Sequence, residues 1–143
     1  MRRCSSARWV ARVVKDPTAP GRWFADHLGS TVVADLGWYV TTRHDGHEDL
    51  SVDFMTPDAH AWPERVRGQA AAGTLLAFLV DDVDAEARRL VAEGVEVLLD
   101  PVSEPWGQRR VQVAGPEGVV VEVLQLVDPD PAWMAANGLA PQD

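Results

Sequence analysis

With 143 residues, 46% of them hydrophobic and 24% charged, the chain has the size and balance of one globular domain or of two small modules sharing a core. The formal net charge of −9 excludes a nucleic-acid partner, which wants a basic face, and an anionic membrane surface. The single cysteine, Cys4, excludes an internal disulfide and fits a cytoplasmic location; no stretch is long enough to span a bilayer, and the start lacks the apolar run of a signal peptide.

In chain order, RWVARVV at 8–14 reads as a strand. DPTAP then breaks it and opens a helix over about 19–28, with Asp16 or Thr18 as cap, Trp23, Phe24 and Leu28 at helical spacing, and Gly29 as the stop. TVVAD at 31–35 and LGWYVTTR from Leu36 are two strands; Asp45-Gly46 is a hairpin turn, and LSVDFM at 50–55 is a fourth strand. Residues 57–72 lack periodicity and form a linker. GTLLAFLV at 73–80 is again a strand, and DDVDAEARRLVAEG a helix with Val83, Ala87, Leu90 and Val91 as its apolar stripe. VEVLL at 95–99 is a strand, DPVSEPWG a loop, QRRVQV a strand, GPEG a turn and VVVEVLQLV the last strand. The tail, 128–143, is irregular or carries a short terminal helix.

Each half therefore reads strand–helix–strand–strand–strand. The repeat shows in the residues too: VARVVKD matches LAFLVDD at an offset of 66, and DHLGSTVVAD matches VAEGVEVLLD at 65. One such unit cannot cover both faces of its sheet. Two would pair, with helices on one side and a concave cavity on the other.

Glu122 sits in the middle of a valine run, where three roles are open to it: metal ligand, polar point of a ligand pocket, or a solvated strand end. Side chains alternate along a strand. If Glu122 faces the cavity, so do Val120 and Leu124, with Arg110 and Gln112 on the neighbouring strand, Leu75, Ala77 and Leu79 on the other, and Trp9, Ala11 and Val13 on the first. Val119, Val121 and Val123 then pack toward the helices. Trp38 and Trp106 are further aromatics for the rim, and an apolar, aromatic pocket with a few polar points is the usual recipe for a small-molecule site. His44, His47, Glu48 and Asp49 cluster at a hairpin tip, where charged residues are mostly solvated.

The duplication, together with VDDVDAEARRLVAEGVEV, WGQR, and the PEG turn followed by Val-Val-Val-Glu, resembles the vicinal oxygen chelate superfamily over about residues 7–127. That superfamily includes glyoxalase I, extradiol dioxygenases and bleomycin-resistance-type binding proteins. The resemblance implies an α+β fold of two tandem βαβββ modules, 7–56 and 73–127, forming a cup-shaped mixed sheet with helices outside, and a homodimer. Metal-dependent members place a ligand, usually His, early in the first strand of each module and another, usually Glu, late in each fourth strand. Counted from Asp16, Asp82 and the two turns, those positions are here Trp9, Leu75, Leu50 (or Ser51) and Glu122. A divalent transition metal needs about three protein donors, so no metal or other cofactor is expected. The resulting expectation is a metal-free protein that sequesters an aromatic antibiotic or secondary metabolite, with Trp9, Trp38, Leu50, Leu75, Trp106, Arg110, Gln112 and Glu122 at the site. The alternative is a lyase, isomerase or dioxygenase of the same fold that uses Glu122 as base or as metal ligand.

Overall fold

In the computed structural model, residues 9–46, 51–69 and 74–139 are described, without the side chains of Trp9 and Val66. The chain divides into two compact units, Met1–Ala72 and Gly73–Asp143. Each contains a four-stranded mixed sheet and is a βαβββ module.

In the first unit, β1 (Trp9–Val13) leads into α1 (Thr18–His27), followed by β2 (Ser30–Asp35), β3 (Tyr39–His44) and β4 (Ser51–Met55). The strand order is β1-β4-β3-β2, with β1 parallel to β4 and the other pairs antiparallel. Helix α1 starts on an Asx turn, in which Asp16 Oδ1 accepts from the Thr18 amide at 3.0 Å. Its inner face buries Phe24, whose ring meets Phe54 of β4 at 5.3 Å. Trp23, at helical spacing with Phe24 and Leu28, is only partly buried and lies against His27. Adjacent helical residues are about 100° apart, so only one of the two can point straight at the sheet. Gly21 brings α1 close to β3: a Cβ there would lie 2.7 Å from Val40 Cγ1. Strand β3 begins at Tyr39 rather than Leu36. Gly37 takes a φ of +78° in a turn where Asp35 Oδ1 accepts its amide, and that left-handed residue ends any extended run through it. The segment after β4 contains one 3-10 turn, Glu64–Val66.

In the second unit, β5 (Leu75–Leu79) precedes α2 (Val83–Ala92), β6 (Val97–Glu104), β7 (Gln108–Ala114), β8 (Val120–Leu126) and the short helix α3 (Pro131–Ala136). The order is β5-β8-β7-β6, with β5 parallel to β8. Asp82 caps α2, accepting from the Ala85 amide at 2.9 Å. Val83, Ala87 and Leu90 are buried beneath the helix, whereas Val91, placed in the same stripe by its spacing, is exposed. The helix covers Val111, Val113, Val119, Val121 and Val123, and burying each contributes roughly 1.5 kcal/mol or more. Strand β6 is longer than expected: DPVSE continues it instead of forming a loop. It is an edge strand with register shifts on either side of Leu99, so Pro101, which has no N–H to donate, interrupts no interior ladder.

Candidate ligand site on the second sheet

The alternation in VVVEVLQ decides where the acid goes. Val121 and Val123 point to α2, so Glu122 points to the opposite, open face. Its neighbours across the ladders are Gln112 on β7 and Ala77 on β5. Gln112 Nε2 donates to Glu122 Oε2 at 2.8 Å, and Arg110 Nη1 donates to the same oxygen at 3.1 Å. Glu122 is 9% exposed, and a carboxylate in that setting needs such partners.

Arg110 is itself held from the other side. Glu104, at the end of β6, accepts from its Nε at 2.9 Å and its Nη2 at 2.6 Å. The hydrogen bonds that Arg110 donates to Glu104 hold its guanidinium above its ordinary range, burial pulls against them, and Glu122 adds to the upward effect. The Trp106 ring lies 5.8 Å from the guanidinium carbon. Trp106 sits in the tight β6–β7 turn, where Gly107 adopts a φ of +96° and a Cβ would come within 3.0 Å of the Val127 carbonyl oxygen. The tail is strapped to this turn: the Val127 amide donates to the Gly107 carbonyl, the Asp130 amide donates to the Pro105 carbonyl, and the Trp133 ring of α3 lies tilted against Trp106, 5.8 Å between centroids. Trp106 Nε1 donates to Gln108 Oε1 at 2.9 Å, which fixes the ring further.

Around this polar centre the face is apolar and open. Leu75 is 46% exposed, Leu79 63% and Leu126 64%, and Ala77 is exposed between the first two. A recess of about 380 Å³ in this unit lies on the helix side between α2 and β6. Of the two carboxylates in its lining, Asp84 is committed to Arg109 through two bonds of 2.7 Å, and Asp100 is the other. The open face differs in gathering exposed leucines, a tryptophan ring, a guanidinium and a carboxylate on one side of the sheet.

Of the residues singled out in the sequence, Leu75, Trp106, Arg110, Gln112 and Glu122 all belong to this unit, and Arg110, Gln112 and Glu122 are directly bonded. Trp38 belongs to the first unit, where its ring packs on Tyr39 and His60. Trp9 opens β1, but its side chain, like the whole of Leu50, lies outside the described residues, as do His47, Glu48 and Asp49.

The strand register also reveals a residue that counting from the turns missed. In the second sheet Glu122 lies between Ala77 and Gln112; in the first, Asp53 lies between Ala11 and Thr41. Asp53, and not Leu50 or Ser51, is thus the counterpart of Glu122. It is 2% exposed and accepts hydrogen bonds from the Tyr39 hydroxyl and the Ser51 hydroxyl. Desolvation, followed by the hydrogen bond to Asp53, pushes the Tyr39 phenol up to about 12. The signal was present in SVDFM, where an acid sits inside an apolar strand just as in VVVEVLQ. Among the described residues no three His, Cys, Asp or Glu side chains come together as metal donors. On the second sheet the first-strand position holds Leu75, whose side chain has no lone pair to offer a metal.

The family described as the Glyoxalase/Bleomycin resistance protein/Dioxygenase superfamily matches the chain over residues 7–123. No curated protein matches it significantly. Among solved structures it is similar to TnmS3, an antibiotic binding protein from Streptomyces sp. CB03234, with 25% identity, a TM-score of 0.67 and coverage of 88% of this chain and 99% of that one. It is also similar to lactoylglutathione lyase from Agrobacterium tumefaciens, with 22% identity, a TM-score of 0.67 and coverage of 87% and 96%. A glyoxalase/bleomycin resistance protein/dioxygenase from Nocardioides gives 18% identity, a TM-score of 0.70 and coverage of 90% and 87%.

Proposed function

Because this chain belongs to the Glyoxalase/Bleomycin resistance protein/Dioxygenase superfamily, we propose that it is a small-molecule binding protein, which captures a largely apolar or aromatic compound, such as an antibiotic or secondary metabolite, without transforming it and without a metal. The observation that carries this reading is the open face of the second sheet. Exposed Leu75, Leu79 and Leu126 and the Trp106 ring surround a carboxylate that the protein has already tied to its own cation and amide. An apolar platform with few, fixed polar points suits reversible capture. The likeness to an antibiotic binding protein supports the same direction. The wider proposal is a cytoplasmic homodimer that sequesters its ligand.

One observation favours a second reading. Both described hydrogen bonds to Glu122 fall on Oε2, which leaves Oε1 to accept a proton from a substrate as a general base, with Arg110 beside it to steady a developing negative charge. Calorimetric titration and tryptophan fluorescence against a panel of antibiotics and aromatic metabolites test the first reading. Saturable binding with unchanged ligand supports capture; a new product released at steady state rejects it. Glu122→Gln separates the two: a base loses turnover while affinity largely survives.

A further inference from the structure

The polar centre of the open face holds one guanidinium and two carboxylates. Arg110 lies between Glu104 and Glu122, with its shorter contacts, 2.6 and 2.9 Å, to Glu104 and the longer one, 3.1 Å, to Glu122. One cation cannot neutralise two acids, so the trio carries one net negative charge, within a chain of formal charge −9. The excess is not spread evenly. Arg110 and Gln112 both donate to Oε2 of Glu122, and among the described residues nothing donates to Oε1. The Trp106 face that could stack on an incoming cation is already occupied by Arg110.

The neighbouring strand carries a small residue at the position paired with Glu122. Ala77 lies directly across the parallel ladder from Glu122, and its methyl group is exposed. The residues two before and two after it on the same face, Leu75 and Leu79, are also exposed and much larger. The sheet thus presents a notch one side chain deep, floored by Ala77, flanked by two leucines, with a carboxylate on its wall.

Given that this face binds a small molecule, as proposed above, we infer that the ligand is a cation: a protonated amine or amidinium carried on a compact apolar or aromatic body. The cationic N–H group sits over Ala77 and donates to Glu122 Oε1, and the body lies across Leu75 and Leu79. A carboxylate or phosphate ligand meets the net negative charge of the trio and is disfavoured. A neutral ligand covers the leucines but offers Oε1 at best an uncharged donor, whose hydrogen bond is weaker than the charge-assisted one from a cation.

The test uses a matched series on one aromatic body: 2-naphthylmethylamine, 2-naphthylmethanol and 2-naphthoate, titrated calorimetrically into the full chain at neutral pH and low salt. The amine is expected to bind about 10-fold or more tightly than the alcohol, as a charge-assisted hydrogen bond would give, with naphthoate weakest. Raising the salt should shrink the preference of the amine. In Glu122→Gln the amine and alcohol affinities should converge. Ala77→Leu, which fills the notch without touching any charge, should remove the preference as well and covers the case in which the Gln variant does not fold. Equal affinities across the series, or a preference for naphthoate, overturn the charge class while leaving a small-molecule site in place. Failure of all three compounds to bind overturns the small-molecule reading and the charge class together.

Discussion

Replacing Arg110 by Met isolates the energetic role of the cation at the polar centre of the open face. The side chains of Arg110, Glu104 and Glu122 are 20%, 16% and 11% exposed, which places them between two limits. A fully exposed ion pair contributes about 0–1 kcal/mol. Breaking a fully buried one costs about 3–5 kcal/mol, because the remaining charge stays behind without a partner. For partly screened groups we expect Arg110→Met to cost about 2–3 kcal/mol. The loss arises chiefly from Glu122, left with Gln112 as its single described donor and with Glu104 as a like-charged neighbour. Neutralising that acid in the same background should therefore help. The double variant Arg110→Met/Glu122→Gln is expected to be about 1–2 kcal/mol more stable than Arg110→Met alone, although Glu122→Gln by itself destabilises the parent. Urea unfolding followed by both tryptophan fluorescence and far-UV circular dichroism measures this as midpoint shifts at constant m. If Arg110→Met loses less than about 0.5 kcal/mol, or the double variant is no more stable than the single, Glu122 is solvated and the polar centre described above does not exist.

Three further outcomes are expected. Gly21→Ala should destabilise the first unit by about 1–3 kcal/mol, because the new methyl group meets Val40 at 2.7 Å; adding Val40→Ala should recover part of the loss in the same denaturant assay. Tyr39, whose folded pKa of about 12 exceeds its ordinary value of 10, contributes stability that is fully present below pH 10 and is lost as pH rises toward 12. Two pH units correspond to about 2.7 kcal/mol, and screening at a half-buried phenol reduces this to about 1 kcal/mol; in Tyr39→Phe the stability difference between pH 9.5 and 11.5 should shrink by that amount. Trp133→Ala should free the Trp106 ring: the emission maximum should shift red, and affinity for any ligand of the open face should fall several-fold while the unfolding midpoint moves by about 1 kcal/mol or less.

Much of the site was legible in one dimension because strands have a period of two. Once VVVEVLQ is a strand with valines on its helix side, Glu122, Arg110 and Gln112 must share the other face, and the register places Glu122 directly across from Gln112. Glu104 escaped notice because it belongs to a stretch read as a loop; only the bulged pairing of β6, which carries the strand through Pro101, brings its carboxylate to Arg110. Asp53 escaped for a related reason. Counting from a turn assumes equal hairpin lengths in the two modules, and the register shows that the first module needs three more residues between turn and acid than the second.

What the sequence by itself determined is the order and kind of the elements, the duplication, and the division of each strand into a helix-facing and an open side. These follow from local rules: apolar spacing, capping residues, and glycines where φ must be positive. The tertiary structure alone decided which polar side chains meet. Hydrogen bonds such as those joining Glu104, Arg110 and Glu122, or Tyr39, Ser51 and Asp53, depend on inter-strand register and on bulges. A slip of a single residue in either would turn the same side chains to the opposite face of the sheet, and no property of the residues taken one strand at a time records it.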